Sequence, residues 1–417
     1  MPALDPFGAF SALQPPEPPT GAVGPLAGLR LAVKDNLDIA GQPTHGGGRA
    51  PLSACAKRTA AVVERLAAAG MCIVGKTLMS ELAFGGWGSN AATGCPRNPW
   101  DAQVHRVPGG SSSGSAAAIA GGLADAALGT DTGGSVRIPA SLCGLTAIRP
   151  ARGRVSRRGL HMLAPSLDVI GPMAWSAELA AHMFAAIAGP DPDDPDTADA
   201  SLFAAAAVLR MPTARWRLAL LAPTDLAVSA PAVRAAYGVA AAALRDYVIA
   251  AELVSLPRPF DAYVGRLGAI LGHEAWHLHG HRLKAHAADM DPWVVKRLRA
   301  GANVGDTAYR AALAERDAER RRFADALAGF DALLTPATPI AAPRLDEVDE
   351  SRLPLSHYVR AFSYLDLPAV ALPCGATADG LPIGLQIVGL GGSEAVPVAL
   401  AAAYQRATEW HLRRPPV

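Results

Sequence analysis

Short apolar runs bounded by glycine or proline alternate along the chain with longer segments whose apolar residues recur at helical spacing. Leu29–Val33 (LRLAV) reads as a strand entering Lys34. Thr59–Ala69 has helical periodicity, stops at Gly70, and is followed by a strand over Met71–Val74. Ser115–Gly122 reads as a small-residue helix, Ala126–Leu128 and Leu145–Ile148 as strands, and Ala177–Ala188 as a helix. Gly189–Thr197 (GPDPDDPDT) interrupts this rhythm as a polar Pro/Asp linker that reaches to about residue 200. Beyond it the pattern predicts a strand at Arg217–Leu221, a helix near Val233–Val248 and a strand at Glu252–Leu256. Long helices then dominate to about Ala328, and strands at Ala332–Leu334, Ala369–Leu372 and Ile383–Val388 precede a terminal helix. This alternation predicts an α/β fold, a large central sheet covered by helices on both faces. Residues 1–25 are proline-rich and read as an extended arm, residues 26–417 as a single domain without internal repeats.

Composition narrows the classes of function. With 417 residues, half of them apolar, the chain can bury a large core. A net charge of +1 provides no field for nucleic acid. The basic cluster Arg320–Arg322 lies in a helical, charge-mixed stretch and reads as a solvated face. Apolar runs are broken before the length a membrane span needs, and the N-terminus carries no basic, apolar leader pattern. The five cysteines (Cys55, Cys72, Cys95, Cys143, Cys374) are scattered without paired metal spacing, as expected of free thiols in a reducing cytoplasm.

The stretch from 107 to 139, VPGGSSSGSAAAIAGGLADAALGTDTGGSVRIP, carries the chemistry. Two Gly/Ser turns, Gly109–Ser115 and Gly133–Ser135, flank the small-residue helix and a short apolar strand. Glycines in such turns allow close backbone approach and aim N–H groups at a ligand, and serines within them are placed to react or bind. A flexible linker would not alternate with apolar, helix-forming segments.

This stretch resembles the signature of the amidase signature family, serine hydrolases that cleave carboxamides with a Ser–cis-Ser–Lys triad. The likeness extends to Leu29–Asn36 (LRLAVKDN), Gly144–Pro172 with GRVSRRG and SLDVIGP, Asp331–Pro339 (DALLTPATP) and Leu381–Gly389 (LPIGLQIVG). It implies the family's large mixed sheet, Ser135 as nucleophile, Ser111 as the cis-peptide serine and Lys34 as base. The backbone of Thr132, Gly133, Gly134 and Ser135 is the implied oxyanion hole, consistent with the freedom that two glycines give the turn. Asp131 and Arg137 match positions that orient the loop as a buried ion pair, and Ser112 supports by hydrogen bonding. Ser113 stands where many relatives have glycine; that variant and the DPFGAF start resemble short plant indole-3-acetamide hydrolases.

Three other motifs point elsewhere. Gly70–Thr77 (GMCIVGKT) fits the phosphate-loop pattern, yet a helix precedes its first glycine and the strand lies inside it. Asp131–Gly133 is the aspartic-protease tripeptide without the second copy that chemistry needs. His273–His277 (HEAWH), with Glu274 between the histidines, fits a zinc hydrolase and is the strongest rival, though no zincin extension follows. The expected protein is therefore a cytoplasmic amidase without cofactor or metal, acting on a small-molecule amide, with no nucleic-acid or membrane partner and room for a homodimer. An amidotransferase-like subunit that needs partners is the other alternative. Specificity is expected from Phe84–Asn90, the helical region around Glu274–His286 (within about 230–328) and the Thr335–Pro339 loop.

Overall fold

The computed structural model describes residues 5–15, 21, 23–351 and 355–416. Its strands are β1 (Phe10–Leu13), β2 (Arg30–Lys34), β3 (Cys72–Thr77), β4 (Ala126–Asp131), β5 (Thr146–Arg149) and β6 (Val169–Ala174). They continue with β7 (Arg217–Leu221), β8 (Ala250–Val254), β9 (Ala332–Pro336), β10 (Ala369–Ala376) and β11 (Pro382–Gly389). All join one 11-stranded mixed sheet in the order β1-β3-β2-β4-β6-β5-β10-β11-β9-β7-β8.

Parallel pairing is confined to β3-β2-β4 and to β8-β7-β9, with antiparallel strands elsewhere. β2 and β4 are buried on both sides through Leu31–Val33 and Ala126–Leu128, which are unbroken apolar runs for that reason. Their parallel register, with Val33 opposite Leu128, brings Lys34 and Thr130 to the same carboxyl-terminal edge.

The two faces are filled differently. On one, the helices Ser113–Ala120 and Arg137–Cys143 bury Ala116, Ala117, Ala120 and Ala140 against Ala32, Ala127, Ala147 and Ala371. Side chains this small let the signature backbone settle close to the sheet. On the other face Ile148, Val370 and Leu372, alternate neighbours on the same strands, join a core with Phe184, Leu244 and Leu400. Those belong to the helices Ala177–Ile187, Pro231–Arg245 and Ala395–Ala407. In a further group of helices, Pro292–Gly301, Asp306–Ala326 and Val359–Tyr364 each pack on Phe260–His279.

Several expectations need correction. Within the proline-rich arm, Phe10–Leu13 pairs antiparallel with β3 and closes that sheet edge; residues 1–4, 16–20 and 22 of the arm lie outside the described residues. Asp5 fixes its entry, accepting from the N–H groups of Ala9 and Phe10 at 3.0 and 2.9 Å. Gly189–Thr197 is a packed loop rather than a linker. Asp191 accepts from Ser156 Oγ at 2.6 Å and Asp194 from the Arg157 N–H at 2.7 Å, so its carboxylates are internal ligands of the domain. β8 begins two residues earlier than its apolar pattern suggests. β6 and the helix Arg137–Cys143 were not expected, because each carries an interior breaker, Gly171–Pro172 in one and Pro139 in the other.

Gly171 illustrates why a strand tolerates such a residue. A Cβ there would stand 2.1 Å from the Ile148 carbonyl oxygen, so only glycine lets β5 pass. Gly171→Ala is expected to cost about 1–3 kcal/mol by overpacking. Gly238, inside the helix Pro231–Arg245, has open space around its missing Cβ, so Gly238→Ala should instead stabilise by roughly 0.5–1 kcal/mol. Denaturant midpoints of the two variants, moving in opposite directions from the parent, check both.

Candidate active site

Lys34 ends β2 with no exposed surface, and its Nζ lies 2.7 Å from both Ser111 Oγ and Thr130 Oγ1. Asn36, two residues on, donates to the same Thr130 hydroxyl at 3.1 Å. Burial pulls the Lys34 ammonium down to about 7, although Asp168 and Asp131 oppose the shift. Desolvation of the charge outweighs two nearby carboxylates, so the neutral amine is populated at ordinary pH.

Ser111 follows a cis peptide bond from Gly110 and is fully buried. Ser112 spans the turn: its hydroxyl accepts from the Thr130 N–H at 3.3 Å, and its N–H donates to the Ser135 carbonyl at 3.2 Å. The two Gly/Ser turns and the end of β4 are thus tied into one unit. Ser113 begins the following helix, and its hydroxyl has no partner among the described residues.

Asp131 organises the second turn. Its carboxylate accepts from Arg137 Nε at 3.0 Å and Nη2 at 3.1 Å, with Arg149 Nε 3.7 Å away, and all three residues are fully buried. Burial alone would raise the Asp131 carboxyl, but the two guanidiniums hold it at about 2. Arg137 also reaches the Val359 carbonyl, Gln386 and Ser363, which locks the helix Val359–Tyr364 to the turn.

One expected oxyanion donor is otherwise engaged. The Gly134 N–H donates to Asp131 Oδ1 at 2.7 Å, and its φ of 117° is what aims it there. The N–H groups of Thr132, Gly133 and Ser135 have no such partner among the described residues, and Gly133 and Ser135 line a cleft of about 50 Å³. Thr132 is fixed through its hydroxyl, which donates to Asp168.

Asp168 and Thr130 contribute to the site without having been singled out from the sequence. Asp168 is buried, accepts from the N–H groups of Leu163 and Ala164 at 2.7 and 2.9 Å, and its carboxyl is pushed up by burial. It lies within SLDVIGP, but a lone Asp before a strand has no signal of its own.

The walls of the cleft come from distant segments: Phe84, Ile138, Leu271, Arg297 and Arg360. Of the expected specificity regions, Phe84–Asn90 supplies Phe84, Gly85 and Gly86. The helix Phe260–His279 contributes Leu271, a turn before Glu274, and Glu274–His286 does not reach the cleft. Thr335–Pro339 is occupied internally, with Thr335 Oγ1 accepting from Gln386 and Thr338 paired with Ser141 at 3.0 Å.

The HEAWH segment forms a helix turn, and His273, His277 and Asp306 bring their ligand atoms within 4.8 Å of one another. The carboxylate a zinc hydrolase would use as base is committed elsewhere: Glu274 accepts from Tyr309 Oη at 2.6 Å and from the Ser166 N–H at 2.9 Å. It therefore braces helices rather than facing a metal-bound water. The phosphate-loop reading of GMCIVGKT ends in β3, where Lys76 is buried against Asp35 at 2.7 Å. Among the described residues, no helix is long and apolar enough to cross a membrane.

Comparison with known proteins places this geometry. The family model described as Amidase matches residues 12–396. A glutamyl-tRNA(Gln) amidotransferase subunit of Symbiobacterium thermophilum is 38% identical over 424 residues, covering 94% of this chain and 85% of the relative. The peptide amidase of Stenotrophomonas maltophilia has a TM-score of 0.81 at 31% identity, over 94% of this chain and 85% of that one. A structure described as a vestigial protein complex, bearing on the origins of an s-triazine catabolic enzyme, superposes with a TM-score of 0.88 at 32% identity, over 97% and 92% of the two chains. These relatives lend no support to the resemblance to short plant indole-3-acetamide hydrolases. The chain belongs to the amidase signature family and is an enzyme acting on the carbon–nitrogen bond of amides.

Proposed function

We propose that the chain hydrolyses a small carboxamide through an acyl-enzyme on Ser135. The Ser135 hydroxyl adds to the amide carbonyl while its proton passes through Ser111 Oγ to the neutral amine of Lys34. The oxygen that becomes negative is received by the free N–H groups of the turn, Gly133 and Ser135 with Thr132 beside them. Gly134 instead spends its N–H on Asp131, which with Arg137 keeps the turn rigid. Lys34 then returns the proton through Ser111 to the departing amine, and water releases the acid by the reverse relay.

The observation that carries this reading is the buried contact of Lys34 with Ser111 at 2.7 Å, coupled to an amine whose burial brings it to about 7. A lysine held charged would have no vacancy for the serine's proton.

The relatives favour a second reading of the assembly rather than of the chemistry. One bears the name of a subunit, and another is described as part of a complex. In that reading the chain delivers its amide-derived ammonia within a larger multi-chain enzyme. The mass of the purified chain in solution, with ammonia release assayed for the chain alone, separates the two: activity only after a partner is added selects the second.

Ser135→Ala is expected to lower kcat by at least about 10⁴-fold with the fold intact. Circular dichroism and ammonia release on the same sample decide it, and a folded variant keeping more than about a few per cent of kcat removes Ser135 as nucleophile.

For Lys34 the sign follows from the requirement for a neutral amine. The folded-state value is depressed from 10.5 to about 7, so activity is lost as pH falls below that value and levels off above it. The acid limb of kcat/KM should therefore fall at about 7 with a slope of one proton. Lys34→Ala should be nearly inactive and Lys34→Arg no better, since guanidinium stays protonated. An unchanged acid limb and near-normal acylation in Lys34→Ala would exclude the relay.

A further inference from the structure

Arg360 is the second residue of the helix Val359–Tyr364 and lines the cleft together with Ser135 and Gly133. Its position is fixed by its neighbour. The Val359 side chain packs against Gly134, and the Val359 carbonyl accepts from Arg137 Nη1 at 3.0 Å. The guanidinium stem crosses the second turn, with Cγ and Nε 3.5 and 3.7 Å from where a Cβ of Gly133 would stand. The charge is thus held beside the turn that carries Ser135.

Among the described residues nothing accepts from this guanidinium, neither carboxylate nor carbonyl nor aromatic face. The arginine beside it is treated differently. Arg297 shares the cleft but is paired with Glu350 and donates to the Phe84 carbonyl at 2.5 Å. Glu350 in turn accepts from Ser89 Oγ at 3.1 Å. Burial, with some repulsion from Arg297, brings the Arg360 guanidinium down only to about 10, so it remains a cation at neutral pH.

Arg360 is half-buried at the cleft wall, and a partly desolvated charge left without a partner is a cost that concentrates where a ligand supplies the missing group. A guanidinium fork matches a carboxylate through two parallel hydrogen bonds. The space is small: about 50 Å³, where one water needs roughly 10–15 Å³. An anionic group meeting Arg360 and a carbonyl meeting Ser135 must therefore be only a few bonds apart. A second groove of about 380 Å³ shares Phe84, Leu271, Arg297 and Arg360 and gives the remainder of a ligand somewhere to lie.

We propose that Arg360 is the anion-binding residue of the amide site and that the substrate is a short amide carrying a carboxylate a few bonds from its scissile carbonyl. This rests on the reading of Ser135 as the site of amide hydrolysis.

Two measurements separate that reading from the proposal. The first compares kcat/KM for monoamides of short dicarboxylic acids with kcat/KM for their neutral methyl esters, in the parent, Arg360→Gln and Arg360→Lys. The acid form should be preferred by the parent, and Arg360→Gln should reduce that preference about 100-fold, as expected when one partner of a desolvated charge pair is removed. Arg360→Lys, which keeps charge but loses the fork, should recover part of it. The second titrates malonate and succinate into the parent and Arg360→Gln by calorimetry, with no turnover required. Binding by the parent that weakens about 100-fold in Arg360→Gln supports the anion site even if no amide is cleaved, in which case the hydrolysis reading fails alone. No binding of either dicarboxylate by the parent, or an equal loss of kcat/KM for acid and ester forms in Arg360→Gln, overturns the proposal.

Discussion

Everything at the site depends on keeping water from the Lys34 amine. Exposed, a lysine stays protonated far above neutral pH and cannot accept a proton from a serine. Here the end of β2, the Thr130 hydroxyl and the serine turn close around Nζ, and desolvation brings it to about 7. Enclosure requires the signature helices to lie close to the sheet, and the run of alanines beneath them makes that approach feasible. The small-residue composition of the signature is thus a packing requirement of a neutral lysine as well as a feature of two flexible turns.

A second constraint protects the first. Asp131 is near enough to favour charge on Lys34, and an unpaired carboxylate there would hold the ammonium protonated. Arg137 and Arg149 converge on that carboxylate, and their positive charge opposes its field. The same Asp131 takes the Gly134 N–H, which sets the direction of the turn. One buried ion-pair cluster therefore has two effects, one electrostatic and one geometric. It also explains why the N–H of Gly134 is unavailable to an oxyanion while its neighbours remain free.

Much of this was legible in the sequence, for physical reasons that can be stated. Strands buried on both faces appear as unbroken apolar runs, which is why β2, β7 and β10 were placed within a residue or so at their starts. β6 escaped because Gly171 and Pro172 are read as breakers, whereas in the fold the glycine accommodates a passing carbonyl. β1 escaped because its neighbours are prolines and its pairing partner β3 lies some sixty residues away. The serines, Lys34, Asp131 and Arg137 could be named because they sit in contiguous motifs. Thr130 and Asp168 could not, since each acts through tertiary contact with a residue named already. Arg360 offered one faint sign, a lone charge inside the apolar run YVRAFSY.

Three guanidiniums near this cleft show how structure and binding divide a common chemistry. Arg137 is fully buried and every arm is engaged, by Asp131, by the Val359 carbonyl, by Gln386 and by Ser363. Arg297 is half-way between, paired with Glu350 and a backbone carbonyl at the cleft wall. Arg360, anchored through Val359 to the same network, has no partner among the described residues. Packing does not require it, because an apolar side chain on that short helix would avoid the desolvation cost. The chain satisfies the buried Arg137 completely and leaves the half-buried Arg360 open, each beside the Gly133–Ser135 turn. On the reading proposed above, the first charge holds the site together and the second is where a ligand is selected.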